Sequence, residues 1–520
     1  MVQLKRLLSI IINEFPFLGY YSFIVGILFG KALISLGFVF VLISFLIRYF
    51  RGSLRLDFHF PLSFRMFLIF IGFFLLSFCW TSNHLDFKHE LISRIIFFVF
   101  PIIFLLDSHL IKNRLMNFLN VFVAATLLCS WINFAVYQSY FEIGTDIRKL
   151  SHFGSHIRFG ICCVLSICLI INGFRQKTKW YQQMFWVASL LWLLYYTYFS
   201  QVMSSFAMVM VVAFVYLWRV VSISWQGKFK WIFFVVLTFL SVGSLIFLVQ
   251  FLAGNNQDQF PKKLTTYTKL GNIYLHDTTV KVFENGNALF INYCPKEMDS
   301  VWNLRSSLNV DFVNSNHYSV RSVLMRYLTS KGLPKDAEGV SQLTKNDIVA
   351  IERGIPNVNS ISSSGIIERL NEIKFELSDM NDPNGHSLLQ RFEFWKASIR
   401  LIQSNFLIGV GAGDMSDALQ QTFSEMNSKL KVENRLGSHN QFLDITARIG
   451  IVGLSIFVLI LVLFFKDQIH SKNIFGVCFI CMMITSFLVE DTLNTLTGMS
   501  IFSLFFALNL KLNLLETAKN

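Results

Sequence analysis

Cysteine is nearly absent from the one part of this chain where it would build a fold. Of the 8 cysteines, Cys79, Cys129, Cys162, Cys163, Cys168, Cys478 and Cys481 lie in or beside apolar runs, and only Cys294 falls in the long polar segment. No disulfide framework and no metal-ligand spacing emerges from them. Acidic residues are also in short supply, 32 against 45 Lys and Arg, for a net charge of +13. The basic residues cluster in short turns between apolar runs, which sets membrane orientation and argues against a nucleic-acid partner. No small-x-small cleavage site follows Met1-Val2-Gln3-Leu4-Lys5-Arg6, so this start reads as a cytoplasmic lead into the first helix. No internal repeat is visible, although many secondary transporters are built from two related halves.

What the chain has is apolar length. It is 54% hydrophobic with 57 phenylalanines, gathered in runs of roughly 17–24 residues, the length that crosses a bilayer as a helix. These runs predict an all-α polytopic membrane protein of about 12 transmembrane helices. Their centres fall near residues 22, 41, 72, 100, 126, 165, 189, 210, 242, 454, 481 and 503. Alternate loops hold Arg48/Arg51/Arg55, Lys112/Arg114, Arg175/Lys177/Lys179, Arg219/Lys228/Lys230 and Lys466/Lys472. The positive-inside rule then puts both termini in the cytoplasm and the long polar segment outside. Three regions result: an N-terminal bundle over 1–253, a large external loop over 254–440, and C-terminal membrane helices over 441–520. Helical spacing at Ile366–Leu377 and Phe392–Ile402 makes the loop mainly helical. The Glu284-Asn285-Gly286 turn signal suggests a hairpin near residues 280–294.

Three elements carry chemistry. In Gly437-Ser438-His439-Asn440, nine residues separate Asn440 from Gly450, which opens a Gly-x-x-Gly at Gly450 and Gly453. A titratable imidazole at the mouth of a membrane helix is a functional-site candidate. His439 is placed to take a proton from a hydroxyl, Asn440 to orient the ring or a substrate, and Gly450 with Gly453 to give one helix face for close packing. The second element is Arg391-Phe392-Glu393-Phe394-Trp395, followed by Gly409, Gly411 and Gly413. An arginine fork suits phosphate oxygens, and the glycines suggest a tight loop offering N–H groups to an anion. The third is Arg158, at the outer start of the sixth span, where a guanidinium must snorkel or find an anion. Each has a plain alternative: a capping histidine, a solvated salt bridge of Arg391 with Glu393 or Glu372, and interfacial anchoring of Arg158.

The stretch from Arg391 to Leu454 resembles the O-antigen ligase and polymerase superfamily of bacterial envelope enzymes, a GT-C-like glycosyltransferase class. The pattern of His, Asn/Ser/Gln, nine residues and Gly-x-x-Gly is matched by His439, Asn440, Gly450 and Gly453. Arg391, Trp395, Gly409, Gly411 and Gly413 also resemble family signatures. Segments Arg326–Leu333 and Lys335–Val340 are similar to the enlarged loop of Bacteroidetes-type members. The resemblance implies transfer of a glycan from undecaprenyl pyrophosphate to an acceptor outside the inner membrane, with lipid A–core as the leading acceptor. It makes His439 the general base, puts Arg391 and Arg158 on the donor pyrophosphate, and assigns substrate contacts to Asn440, Trp395 and the three loop glycines. It implies no metal and no cofactor. Many relatives carry an arginine at the start of the eighth span. Here the region reads Val202-Met203-Ser204-Ser205-Phe206, so Arg158 carries more of the phosphate binding or a loop arginine such as Arg326 substitutes. A polymerase or a protein O-oligosaccharyltransferase would share donor and motif, and a flippase would share the topology alone.

Overall fold

A computed structural model describes residues 17–52, 60–107, 112–139, 150–173, 179–224, 260–313, 319–359, 373–377 and 382–517, with a few isolated positions between. The span expected near residue 242, the N-terminal lead and the start of the helix expected from Ile366 lie outside the described residues.

The membrane portion opens with α1 (Phe17–Phe29), α2 (Lys31–Phe50), α3 (Leu62–Leu76), and the pair α4 (His84–Ser93) and α5 (Ile95–Leu106). It continues through α6 (Lys112–Ser139), α7 (His156–Gly173), α8 (Trp180–Phe199) and α9 (Met203–Ser224). A polar insertion follows, holding β1 (Phe283–Glu284), β2 (Asn287–Ala288), α10 (Pro295–Arg305), α11 (Val320–Ser330), α12 (Ala337–Ser341) and α13 (Lys345–Glu352). Then come α14 (Ser387–Ser404) and α15 (Met415–Glu425), and the chain closes on α16 (Gln441–His470), α17 (Ile474–Val489) and α18 (Leu496–Thr517).

The protein is thus mostly helical and multi-pass. Among the described residues 7 helices are long and apolar enough to cross a membrane, or 8 if the α4–α5 pair, bent by 40°, is one broken span. The sequence expects about 12 such runs. The difference has local causes: α1 and α17 are shorter, α8 is long but rich in Tyr, Trp and Gln, and one run is outside the described residues.

Close packing between apolar helices cannot draw on the hydrophobic effect inside lipid, so it rests on van der Waals fit. Phenylalanine supplies much of that fit, as in the stacked Phe23–Phe100 and Phe502–Phe506 pairs at 4.2 and 5.3 Å. α3 lies along α16, α5 along α18, and α9 along α17. Arg48, expected as a turn cation, is instead buried: it grips Asp107 through both Nη atoms at 2.8 Å, and the Tyr20 hydroxyl donates to the same carboxylate at 3.1 Å. That grip ties α1 and α2 to the end of α5.

The insertion has its own core, around fully buried Trp302, Leu324, Tyr327, Leu328 and Ile351. Three of its helices start where capping side chains meet the first free N–H groups: Ser319 for α11, Asp336 for α12, and Thr344 with Asp347 reciprocally for α13. The hairpin pairs Phe283 with Ala288 across Asn285-Gly286, whose φ of 50° and 84° suit the tight primed turn that two-residue hairpins favour.

Candidate active site

Four elements converge on one carboxylate that the sequence reading did not single out. Glu490 follows the last residue of α17 and is 3% exposed. A carboxylate at a helix C-terminus faces the negative end of the helix dipole, so it persists there only with strong partners. Arg391, in the first turns of α14, donates from Nη2 to Oε1 at 2.6 Å. His439, just before α16, places Nδ1 3.3 Å from Oε2. Arg158, at the start of α7, brings Nη2 to 4.0 Å of the same oxygen while its Nη1 donates to the Ser155 hydroxyl at 2.9 Å. The structure therefore gathers His439, Arg391 and Arg158, which are far apart in sequence, around Glu490.

His439 is held rigidly. Its backbone sits at φ 44°, a left-handed conformation that costs a non-glycine residue energy and marks a constrained position. The ring lies on Phe394 at 5.2 Å, 21° from parallel, and the preceding Ser438 hydroxyl accepts from buried Ser398 at 3.0 Å. With Nδ1–H directed at the carboxylate, the lone pair falls on Nε2, which has no hydrogen-bond partner among the described residues. That is the tautomer a general base needs, with the anion behind the ring ready to stabilise the imidazolium. Burial by itself raises the Glu490 pKa. The His439 hydrogen bond and the charges of Arg391, His439 and Arg158 outweigh burial and hold the carboxyl below its usual range. Neighbouring Asp491 goes the other way: burial and then the Asp444 charge raise it, against the opposing pull of His439 and Asn494.

Several expected site residues take other work. Asn440 caps α16: its Oδ1 accepts from the Phe442 and Leu443 N–H groups at 3.0 and 3.1 Å, and its Nδ2 donates to the Leu488 carbonyl at 2.9 Å. Its amide thus ties the start of α16 to the end of α17 beside the histidine. Arg326 is not at the cluster. Its Nε meets Glu284 at 2.6 Å and its guanidinium lies over Phe375 at 3.4 Å, so it pins the hairpin to α11. Trp395 lies one turn beyond Arg391, and both Trp395 Nε1 and Arg391 Nε are shielded from solvent without a hydrogen-bond partner among the described residues. Ser205 is fully buried against Gly160, where α9 crosses α7, and this crossing leaves no room for an arginine.

The glycines need the largest correction. Gly450 and Gly453 are not on one continuous helix face, because α16 breaks at Ile449 and Gly450, the latter at φ 70° and ψ −175°. The break frees two carbonyls and two N–H groups, and the loop after α14 takes all four. Val410 and Gly411 N–H donate to the Ala447 and Arg448 carbonyls at 2.9 Å each, while Ile451 and Val452 N–H donate to Phe406 and Leu407 at 2.9 and 3.4 Å. Buried backbone groups must be paired somewhere, and this exchange pairs them across the kink. A Cβ at Gly450 would run into the Leu407 carbonyl, and one at Gly409 into the Arg448 backbone. Gly409 N–H is taken by the Asn405 carbonyl at 3.0 Å. With Gly411 also occupied, the loop packs against the helix and is not an anion cradle. Gly413 packs on the Asn83 carbonyl and the start of α4.

Residues 349–458 match the O-antigen ligase family model. This segment is similar to the O-antigen ligase family. No curated protein matches the chain. Members are glycosyltransferase-like enzymes with glycan and lipid-linked substrates in general. The matched O-antigen ligase segment holds Arg391, Trp395, the three loop glycines, His439 and the Gly450 break. Arg158 and Glu490 lie outside it and reach the site through the fold. The signal for Glu490 was in the sequence: Glu490-Asp491 closes an apolar run, where ionisable side chains are expensive.

One atom each of His439, Glu490 and Asp491 lie within 4.8 Å of one another. Those donors suit a divalent cation chemically. The two guanidinium groups already on Glu490 set the charge balance against one, since a dication would sit against Arg391 and Arg158. A second network stands behind the cluster. Arg448 Nε binds Asp444 at 3.0 Å and its Nη1 reaches Glu90 at 3.2 Å, while Arg94 joins Glu90 and donates to Asn494 at 2.6 Å. Asn494 in turn donates to Asp491 at 3.2 Å. This fixes the α4–α5 bend to the turn that carries Glu490.

Proposed function

We infer that the protein is an O-antigen ligase. It moves a glycan from undecaprenyl pyrophosphate to lipid A–core at the outer face of the bacterial inner membrane. The observation that carries this reading is the meeting of His439, Arg391 and Arg158 at Glu490 beside the ends of membrane helices. His439 Nε2 takes the proton of the acceptor hydroxyl. The acceptor oxygen bonds to the anomeric carbon as the bond from that carbon to the pyrophosphate oxygen breaks. The electron pair leaves with the pyrophosphate, whose developing charge Arg391 and Arg158 stabilise. Displacement in one step inverts the anomeric centre. Glu490 positions His439 and carries its imidazolium. The charge balance of the site supports a metal-independent route.

In this reading the chain has about 12 spans, a GT-C-like arrangement and cytoplasmic termini. Its N-terminal bundle covers 1–253, its periplasmic insertion 254–440 and its C-terminal helices 441–520. The polymerase and the protein O-oligosaccharyltransferase differ in acceptor only. A deletion strain separates them on a surface-glycan gel. Bare core with polymer stranded on carrier lipid supports the ligase, core bearing one repeat supports the polymerase, and unchanged lipopolysaccharide with underglycosylated protein supports the third. Reconstituted protein that moves lipid-linked glycan across vesicles and forms no glycosyl product would overturn the enzyme reading in favour of a flippase.

A further inference from the structure

The opposite end of the bundle carries a second polar cavity. α16 and α17 are joined by the turn Ser471–Asn473. One pair of their ends meets at His439 and Glu490, and the other pair meets at this turn. Past its break at Gly450, α16 runs on to His470, roughly 30 Å of helix, so the turn lies about a membrane thickness from the histidine end. There a cavity of about 240 Å³ opens between α7, α9, α17 and α18, lined by Asn172, Arg219, Lys472, Asn473 and Glu516 among others.

Its chemistry is that of an anion site with an apolar edge. Neither Arg219 nor Lys472 has an ion-pair partner among the described residues, and Arg219 is half-buried between the exposed side chains of Trp218 and Val220. Ile474 and Phe475 line the cavity as the first two residues of the 16-residue α17. Their N–H groups have no acceptor among the described residues. Such N–H groups at a helix start favour a phosphate. Asn473 is fixed: Oδ1 caps the Gly476 N–H at 3.2 Å, and Nδ2 donates to Gln468 and Asn509 at 2.9 Å each. Glu516 lines the cavity as well, so two cations against one carboxylate leave a positive excess beside the helix start. The apolar side chains of Ile474, Phe475 and Leu512 complete the wall. Basic pockets between membrane helices recognise anionic head groups in this way.

The geometry points to a phosphate-binding site at Arg219, Lys472 and the start of α17, on the face opposite the glycosyl-transfer site. The ligand it takes is the phosphodiester head of an anionic phospholipid, or phosphate itself. The site does not depend on the ligase reading. The test uses the purified full chain in neutral detergent, titrated with dioctanoyl phosphatidylglycerol, dioctanoyl phosphatidylcholine or inorganic phosphate, and read by native mass spectrometry and thermal shift. Phosphatidylglycerol is expected to bind at least about tenfold tighter than phosphatidylcholine. Each of Arg219→Gln and Lys472→Gln weakens it about fivefold and the pair about thirtyfold, whereas Arg219→Lys stays within about twofold of the parent. Full competition by inorganic phosphate assigns the site to free phosphate, and lack of competition assigns it to the lipid. Equal binding of the two lipids, or unchanged affinity in the folded double variant, would overturn the proposal. If the double variant does not fold, the two single variants and Arg219→Lys decide it on the same scale.

Discussion

Replacing Glu490 by Gln keeps the shape at the centre of the site and removes its charge. In the native cluster one oxygen takes Arg391 at 2.6 Å and the other takes His439 at 3.3 Å. Glutamine has a single acceptor oxygen, so its NH₂ must face either a guanidinium or the Nδ1–H, and one contact turns from attractive to repulsive. A hydrogen bond between charged groups contributes about 1.5–3 kcal/mol. Arg391 is 26% exposed, so the lower part of that range applies. Stability is buffered further, because the variant also relieves the desolvation cost of a carboxylate that is almost wholly buried. The net loss of stability should be no more than about 2 kcal/mol. Catalysis has no such offset. An unoriented base, with no anion to stabilise its imidazolium, forfeits much of the 10²–10⁴-fold that general-base catalysis supplies. We expect kcat to fall about 100-fold or more, with a KM for the acceptor that changes little. The assay is glycosyl product formed in vesicles from a lipid-pyrophosphate donor, with melting temperature measured in the same detergent. A folded Glu490→Gln protein within about threefold of the parent kcat would refute the role given to the carboxylate.

His439→Ala should abolish transfer, with expression and membrane insertion intact; near-normal product would remove the base assignment. Arg391→Lys should lose roughly 10²-fold in kcat/KM, because a point charge cannot replace a planar fork; unchanged kinetics would make Arg391 a structural partner of Glu490 alone. Gly450→Ala should destabilise the protein by about 2–5 kcal/mol, from left-handed strain and overpacking on Leu407; a melting temperature equal to that of the parent would contradict the kink. In the insertion, burial raises the Asp347 pKa, but hydrogen bonds from Lys331, Tyr327 and Thr344 bring it down to about 2, from 3.8. The folded value is depressed, so this stabilisation is full above the unfolded pKa and is lost as pH falls through about 2. Asp347→Asn should therefore speed hydrogen exchange in α11 and α13 at neutral pH, by the equivalent of about 2 kcal/mol, and match the parent near the acid end. Identical exchange at neutral pH would refute it.

How much of this was legible depends on whether a signal is local. Apolar run length is local. Every expected span centre that falls on described residues lies in a helix, although α1, α8 and α17 miss the length or hydropathy that marks a full crossing and α5 reaches it only together with α4. The Asn285-Gly286 turn and the cap at Asn440 are local too. An asparagine directly before an apolar helical run is a cap signal, and Asn440 caps α16 as that signal implies. Spacing misleads when the backbone between the marks changes course. Gly450 and Gly453 fit one helix face only if the helix is continuous, and the left-handed turn at Gly450 is invisible to a periodicity count. Arg326 shows a different limit: its partners Glu284 and Phe375 come from segments on either side that only the folded insertion assembles.

The same reasoning explains why the site needs Glu490. Three cationic or protonatable groups drawn to the ends of apolar helices would repel one another and leave their N–H donors unmet. A single buried carboxylate sets one negative charge against all three. The grip is unequal, from 2.6 Å at Arg391 to 4.0 Å at Arg158, so the loosest partner is the one an incoming anion can recruit at least cost. Motif reading names the residues that would act on a substrate. It passes over the residue that holds them together without one, 51 positions from His439, because that role appears only when the charges are summed in space.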